Sequence, residues 1–250
     1  MTAEVTIADA TPAAAGTTLE ITYRVLRYNP EVDEEPRFEE YVVPSNPMDR
    51  VLDGLHYIKW EIDGSLTFRR SCGHGVCGSD AVVVNGRNRL ACKVLVRDLP
   101  SVITVEPIKG LPIAKDLVVD MDGFFASYRA VLPFLINDSV PTDRERLQSP
   151  ADRERFDDTT KCILCASCTT SCPIYWPDNS YIGPASIVNA HRFIFDSRDH
   201  AAEERLTILN GEDGVWKCRT TFNCTNACPR DIDVTTAIQQ VKRELMFNRI

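Results

Sequence analysis

The amino-acid sequence predicts an α+β protein with a strand-rich first half and a helical second half. Apolar residues alternate with polar ones along several short segments before residue 119, and they recur at helical spacing after it. In addition, the ten cysteines lie in tight groups, an arrangement typical of metal ligands. We therefore expect one domain at residues 1–119, beginning with a poorly ordered arm at residues 1–16, and a second at residues 120–250.

The first half contains four segments with the pattern of strands and one helix between them. Asn85 and Gly86 predict a tight hairpin turn, after which the chain from Leu90 onward can return antiparallel. Residues 49–59 can form a helix across the sheet, which indicates a small mixed α+β domain. The predicted strands are residues 18–26, 37–43, 81–84 and 102–105.

Apolar stripes predict three helices in the second half. The first stripe covers residues 124–135, and the second follows Pro184, since proline is tolerated in the first turn of a helix. The third begins after Asp233, whose carboxylate can cap the helix. Residues 138–158 are dense in mixed charge, which predicts a solvated connector. His191 falls on the apolar face of the second helix, as expected of a hydrogen-bonded core residue.

Composition and charge disfavour several classes of protein. The chain has 28 Lys and Arg residues and 36 Asp and Glu residues, and its net charge of −8 disfavours a nucleic-acid partner. No stretch approaches the run of about eighteen apolar residues that spans a bilayer. The start lacks the basic-then-apolar order of an export signal, so we expect a reducing compartment, where disulfides are rare. The alternative, five disulfides in an exported protein, leaves the tight grouping of the cysteines unexplained.

The first cysteine group consists of Cys72, Cys77 and Cys92, with Asp80 between the second and third. Its spacing is that of a plant-type [2Fe–2S] site in which Asp80 stands where the third cysteine would be. A carboxylate can ligate iron through oxygen, so the pattern predicts three thiolates and one carboxylate. The alternative is that Asp80 only caps a turn and that another group fills the fourth position.

The second cysteine group consists of Cys162, Cys165, Cys168 and Cys172, followed by Pro173. This is the C-x2-C-x2-C-x3-C-P run of bacterial ferredoxins, in which the fourth cysteine ligates the other cluster of a pair. It therefore predicts three corners of a [4Fe–4S] cluster. The alternative is a zinc site, but zinc usually takes separated cysteine pairs or cysteine–histidine sets.

The third cysteine group consists of Cys218, Cys224 and Cys228, and it repeats the second with one cysteine replaced by Thr221. By the crossed pattern, Cys228 completes the [4Fe–4S] site. Cys172, Cys218 and Cys224 then hold a cluster without a fourth thiolate, which predicts [3Fe–4S]. The alternative is a second [4Fe–4S] cluster with Thr221 or water on the fourth iron. All ten cysteines are used, and three clusters of different type indicate electron transfer.

These groups, together with intervening segments, resemble the iron–sulfur subunits of the succinate:quinone oxidoreductase and fumarate reductase family. The resemblance covers most of the chain after the N-terminal arm. The matching stretches are residues 69–92, 115–121, 162–173, 183–185, 191–198 and 218–229.

The resemblance implies an N-terminal β-grasp plant-type [2Fe–2S] ferredoxin domain followed by an all-α bacterial-type ferredoxin domain. It implies an FAD-containing partner that oxidises succinate, one or more membrane anchor subunits, and a quinone at the anchor interface. Electrons would pass from flavin through [2Fe–2S], [4Fe–4S] and [3Fe–4S] to the quinone, with no catalytic residue in this chain. The chain would lie peripherally on the cytoplasmic face of the inner (plasma) membrane. Some bacterial members carry an aspartate at the position of Asp80, which supports its role as a ligand.

The resemblance also indicates quinone contacts beside the [3Fe–4S] cysteines. By position these are Pro173, Trp176, Arg219 and Lys242. Many members have histidine where this chain has Arg219, and arginine cannot shuttle a proton at neutral pH, so it would stabilise negative charge instead.

Three alternative functions remain open on the sequence. A fumarate reductase subunit would work in the reverse direction of the same reaction. A free multi-cluster ferredoxin-like carrier would be a stable monomer, whereas a subunit should expose apolar patches when isolated. A zinc-stapled interaction module would hold no iron.

Overall fold

The computed structural model describes residues 18–139 and 144–247 and divides into a sheet domain and a helical domain. The arm predicted at residues 1–16 lies outside the described residues, as does part of the predicted connector. The boundary near residue 119 stays a prediction; there the chain passes from a short strand, Val118–Val119, into a helix, Asp122–Ala130.

The first domain is built on a five-stranded mixed sheet whose strand order is β2-β1-β5-β3-β4. β1 pairs antiparallel with β2 and parallel with β5, so the sheet needs a crossover between them. A small second sheet joins β6 to β7. The strands are β1 Leu19–Arg27, β2 Arg37–Ser45, β3 Ala81–Val84, β4 Arg87–Leu90, β5 Val102–Glu106, β6 Ile113–Lys115 and β7 Val118–Val119.

One helix crosses this sheet and covers its core. Helix α1, Val51–Tyr57, continues into a π-helical turn at Ile58–Ile62, where an uninterrupted helix was predicted. A side chain at Gly54 would collide with the ring of Tyr23 on β1, which shows how closely helix and sheet approach. A mixed sheet with one helix across it confirms the predicted α+β domain and agrees with the β-grasp arrangement that the resemblance implied.

The hairpin at Asn85 and Gly86 is tighter than predicted. β4 begins at Arg87 and ends at Leu90, so the return strand expected from Leu90 onward is wrong in position. Both turn residues have positive φ (47° and 78°), as a two-residue turn requires, and the chain therefore reverses at once. The short β4 leaves Cys92 close to the start of β3.

The second domain consists of short helices and two longer ones that pack against each other. Helix α5 is buried along most of its length and packs against α8. Asp233 caps α8 as predicted, because its Oδ1 accepts a hydrogen bond from the Thr236 N–H at 3.1 Å. The helices are α2 Asp122–Ala130, α3 Pro150–Glu154, α4 Ser167–Thr170, α5 Gly183–Ile194, α6 Ala202–Leu209, α7 Asn223–Asn226 and α8 Val234–Phe247. In the part of the chain that the structure describes, no helix is long and apolar enough to cross a membrane.

The first predicted helix of this domain is shorter than its apolar stripe. Helix α2 ends at Ala130 because Pro133 follows, and proline both lacks an N–H and disfavours helix in the preceding residue. That residue, Leu132, adopts a φ of 51°. The freed Leu132 carbonyl accepts hydrogen bonds from Arg205, which is fully buried and paired with Asp199 at 2.6 Å.

The two domains meet at the loops that carry the first and second cysteine groups. Asn88 on β4 donates hydrogen bonds to the Ser167 carbonyl at 3.0 Å and to the Thr170 hydroxyl at 2.7 Å. Gly78 has a φ of +70°, and a Cβ at this position would stand 2.7 Å from the Cβ of Cys165. Only glycine allows the loops to approach this closely.

We expect Gly78→Ala to destabilise the protein more than Gly73→Ala does. Both glycines have positive φ, so alanine costs about 1–2 kcal/mol at either site. Nothing stands within 4 Å of a Cβ at Gly73, whereas at Gly78 the loops must separate, for a further cost of about 1–3 kcal/mol. Denaturant unfolding of both variants measures the difference. Equal losses would show that the close approach has no energetic consequence.

His191 confirms the prediction of a hydrogen-bonded core histidine. It is buried, and its Nε2 lies 2.5 Å from the side-chain oxygen of Gln240. Burial lowers the pKa of His191 to about 4, because charging the ring inside the protein is unfavourable.

This buried histidine predicts a specific pH dependence of stability. The unfolded chain binds a proton near pH 6.5, whereas folded His191 stays neutral until about pH 4. Stability should therefore fall as pH drops through this window, by up to about 3 kcal/mol. Unfolding free energies between pH 7.5 and 4.5 should show this loss in the wild type and in His74→Gln, a change at an exposed histidine. If His191→Gln has the same pH slope, the prediction fails.

Candidate metal centres

The hairpin of the first domain brings Asp80 beside Cys92. Asp80 is buried, and its Oδ2 accepts a hydrogen bond from the Cys92 N–H at 2.6 Å. Its second oxygen, Oδ1, is buried without a hydrogen-bond partner. A buried carboxylate oxygen without a partner is unfavourable unless a bound group satisfies it. Oδ1 is therefore available as a ligand. Asp80 therefore meets both of the expectations that were stated as alternatives. One carboxylate oxygen caps the turn, and the other is open to a ligand bond with iron.

The same loop is shaped to hold a thiolate at Cys72. The backbone N–H groups of His74, Val76 and Cys77 each lie 3.4 Å from the Cys72 sulfur. These hydrogen bonds lower the pKa of the Cys72 thiol to about 6. Gly75 contributes a φ of +80° to the turn that directs them inward. The loop therefore favours the deprotonated form that binds iron.

Cys92 is in the opposite environment. Burial raises the pKa of its thiol to about 12, and the neighbouring Asp80 carboxylate adds to the effect. In the absence of a bound cation, the Cys92 thiol beside Asp80 keeps its proton. Metal binding takes the place of such a proton, so the site is built for a positively charged occupant.

The second centre is a small cavity with four thiols in its wall. Three of them come from the second cysteine group and the fourth is Cys228, as the crossed pattern predicts. Burial raises the pKa of Cys165 and Cys168, and the charges of the neighbouring thiolates, Cys228 included, raise it further. The rest of the wall is mainly apolar. It includes Ala166, Ala185, Val188, Ile232 and Val234.

The third cysteine group repeats the backbone of the second. Leu164 and Ala166 adopt left-handed conformations (φ 53° and 63°), and Thr220 and Phe222 repeat them with φ 57° and 62°. Each pair leads into a four-residue helix, α4 or α7. Thr221 thus occupies the position of Cys165, but it is exposed where Cys165 is buried. The loop keeps the shape of a cluster loop although one thiol is missing.

Hydrogen bonds bring together two of the segments that carry the thiols expected at the third centre. The Ser171 hydroxyl, beside Cys172, donates to the Asn223 carbonyl at 3.2 Å, and the Asn223 side chain, beside Cys224, donates to the Ser171 carbonyl at 3.3 Å. Burial raises the pKa of Cys224, and the charges of Cys218 and Cys172 raise it further. The Thr220 N–H donates to the Cys218 sulfur at 3.4 Å. Among the residues that the structure describes, no three His, Cys, Asp or Glu side chains are placed to share a single metal ion. A cluster does not require that geometry, since each of its irons takes only one or two protein ligands.

The residues expected at a quinone site fall in two places. Lys242 donates a hydrogen bond to the Cys218 carbonyl at 2.9 Å, and Arg219 is exposed beside it. Pro173 is half-buried next to Cys172. Trp176 packs toward the first domain, where a Cβ at Gly110 would stand 3.1 Å from its ring.

An exposed apolar patch beside the third centre escaped sequence analysis. Trp216 and Phe222 are 39% and 54% exposed, and Met246 and Phe247 at the end of α8 are 53% and 72% exposed. The Lys242 ammonium lies 5.9 Å from the centre of the Trp216 ring. In the sequence, Met246 and Phe247 are apolar residues that fall outside the apolar stripe of α8. Their position off the stripe was the signal that they are exposed.

A basic cleft between the two domains was also missed. It measures about 770 Å³ and is lined by Arg87, Arg89, Lys93 and Lys109, with no Asp or Glu in its wall. The structure gives none of these four side chains an ion pair or a side-chain hydrogen bond within the described ranges. Arg87, Arg89 and Lys93 lie within seven residues of one another, a local basic cluster that was the available signal, whereas Lys109 comes from a separate segment.

Comparison with known proteins agrees with both halves of the fold. The family profile described as "2Fe-2S iron-sulfur cluster binding domain" matches residues 22–126, and that of "4Fe-4S dicluster domain" matches residues 155–229. The chain is 40% identical over 230 residues to the succinate dehydrogenase iron-sulfur subunit of Coxiella burnetii, covering 90% of this chain and 97% of that one. It is 41% identical over 225 residues to the fumarate reductase iron-sulfur subunit of Mycobacterium tuberculosis, covering 89% and 91% respectively.

A solved structure has the same fold as this chain. A chain of the Mycobacterium smegmatis Sdh1 complex in the apo form superposes with a TM-score of 0.85 at 25% identity, covering 93% of this chain and 98% of that one. The predicted fold class and the three cluster types are confirmed. The chain belongs to the family of succinate dehydrogenase and fumarate reductase iron–sulfur subunits, whose role is electron transfer through [2Fe–2S], [4Fe–4S] and [3Fe–4S] clusters.

Proposed function

We propose that this chain carries electrons from the flavin of a succinate-oxidising partner, through its three clusters in order, to a membrane quinone. The observation that carries the proposal is the exchange of cysteines between the second and third groups. Cys228 lines one cavity with Cys162, Cys165 and Cys168, whereas Cys172 is tied to the loop of Cys224 by the hydrogen bonds between Ser171 and Asn223.

The ligands follow from these groupings. Three thiolates and the open oxygen of Asp80 would hold [2Fe–2S], the four thiols of the cavity would hold [4Fe–4S], and the remaining three would hold [3Fe–4S]. Such clusters supply one-electron chemistry when bound, and the apolar wall of the cavity excludes water from the second one. The proposed ligands are Cys72, Cys77, Asp80 and Cys92; Cys162, Cys165, Cys168 and Cys228; and Cys172, Cys218 and Cys224.

The order of transfer is supported by which loops touch. Gly78 of the first loop lies against Cys165, so the first and second centres are neighbours. Cys168 lies in the four-residue helix α4 and Cys172 follows two residues after that helix, so the second centre adjoins the third. The [4Fe–4S] site thus stands between the other two.

The two ends of this series have surfaces that suit partners. Val76 and Cys77 are exposed on the first loop, where an FAD-containing subunit would dock. At the other end, the patch around Trp216 would meet a membrane anchor. The complex would lie on the cytoplasmic face of the inner (plasma) membrane, held there by the anchor. Pro173, Trp176, Arg219 and Lys242 remain the proposed quinone contacts, and the hydrogen bond of Lys242 at Cys218 supports its place among them.

A fumarate reductase subunit is the second candidate, because relatives with that name match equally well. The two functions differ in direction, which depends on the reduction potentials of the clusters and of the quinone. Rates of succinate oxidation and fumarate reduction by the purified complex, compared with potentiometric titration of the three centres, distinguish them. A free carrier would instead purify without a flavoprotein.

The cluster assignment predicts about nine irons per chain and a three-iron EPR signal in the oxidised, anaerobically purified complex.

Thr221→Cys restores the missing thiol on a backbone that repeats that of Cys165. We expect this variant to lose the three-iron signal and to gain about one iron, as [4Fe–4S] forms at the third centre. Ser171→Cys is a matched control, because it adds a thiol outside the cysteine alignment. Zinc in place of iron in the wild type would contradict the assignment.

Two substitutions distinguish Asp80 as an iron ligand from Asp80 as a turn cap alone. Asp80→Asn keeps an acceptor for the Cys92 N–H but loses the anionic oxygen, so we expect a lower content of [2Fe–2S]. Asp80→Cys supplies a fourth thiolate, so the cluster should remain with a changed EPR line shape. Iron analysis and EPR of the dithionite-reduced complex measure both effects. Unchanged content and line shape in both variants would leave Asp80 as a cap alone.

A further inference from the structure

Tyr181 is a fully buried side chain whose hydroxyl has no hydrogen-bond partner. It lies two residues before helix α5, at a point where the Ile182 N–H donates to the Asp213 carbonyl and fixes the backbone. A buried hydroxyl without a hydrogen-bond partner is unfavourable. Such groups need an explanation, and a bound group is one of the usual ones.

The surroundings of Tyr181 identify the acceptor that it lacks. Hydrogen bonds and packing place Tyr181 between two cysteine loops: Ser180 accepts a hydrogen bond at 2.8 Å from Lys217, which precedes Cys218, and a Cβ at Gly183 would stand 2.8 Å from the Thr169 side chain on α4. Burial raises the pKa of the phenol, and the charges of Cys218, Cys172, Cys224 and Cys168 raise it further. The first three are the thiols assigned to the [3Fe–4S] centre, and their sulfur atoms become hydrogen-bond acceptors once iron is bound.

We propose that the Tyr181 hydroxyl donates a hydrogen bond to a sulfur of the [3Fe–4S] centre and thereby raises its reduction potential. The inference rests on the ligand assignment proposed above. Reduction adds negative charge to the cluster, so a fixed donor stabilises the reduced form more than the oxidised form. Tyr181 is thus a tuning residue that acts on the last centre before the quinone, and it exchanges no proton during transfer.

The test is a potentiometric titration of the assembled complex followed by EPR. Tyr181→Phe removes the hydroxyl and keeps the ring, so the packing around α5 is retained. We expect the equilibrium constant for reducing [3Fe–4S] to fall by a factor of about three to ten, with the other two potentials unchanged. Tyr23→Phe is the matched control, because Tyr23 is also buried with an unpartnered hydroxyl but lies on β1 of the first domain.

A second measurement detects the hydrogen bond in the wild-type complex itself. Electron–nuclear double resonance of the oxidised wild-type complex should detect a proton coupled to [3Fe–4S] that disappears in protein prepared in D₂O. The same proton should be present in Tyr23→Phe and absent in Tyr181→Phe.

The possible failures are distinguishable. An unchanged [3Fe–4S] potential and an unchanged proton coupling in Tyr181→Phe would overturn the role of Tyr181 while leaving the cluster assignment intact. Absence of any exchangeable coupled proton in the wild type would overturn it as well. Absence of the three-iron signal itself in the wild type would overturn the proposed function.

Discussion

The proposed exchange of Cys172 and Cys228 between two similar loops is the constraint on which the helical domain depends. Helices α4 and α7 have only four residues each, too few to be stable in isolation. Their positions are fixed by the thiol-bearing loops around them and by α5 and α8 behind them. Under the proposed ligand assignment each centre draws ligands from both loops, so damage to one loop would affect both centres.

The contact between the domains extends this dependence to the first centre. Asn88 reaches across to α4, and Gly78 lets the first loop lie against the second. The three centres therefore form a series held by backbone contacts, with the buried, apolar-walled site in the middle. This arrangement suits electron transfer, since it keeps the donor and acceptor of each step at a fixed separation and needs no moving part.

Much of this architecture was readable in the sequence because its signals are local. Asn85-Gly86 specified the hairpin, and the proline-terminated cysteine runs predicted that Cys228 joins Cys162, Cys165 and Cys168, the four thiols that line one cavity. The first predicted helix of the second domain was too long because its apolar period continues past Pro133, where proline ends a helix. Tyr181 carried no such signal, and the basic residues at 87–93 did not show that they face the helical domain. Their significance lies in what stands around them, and only the folded chain brings those groups together.

The basic cleft places unpaired positive charge on a protein whose net charge is −8. Cys228, from the wall of the middle site, also lines this cleft, so the field of Arg87, Arg89, Lys93 and Lys109 acts close to the site. The cleft is open to water, and dissolved ions screen charges over about 10 Å at 0.1 M. The driving force for moving an electron through the middle of the protein thereby becomes sensitive to the ionic strength of its surroundings.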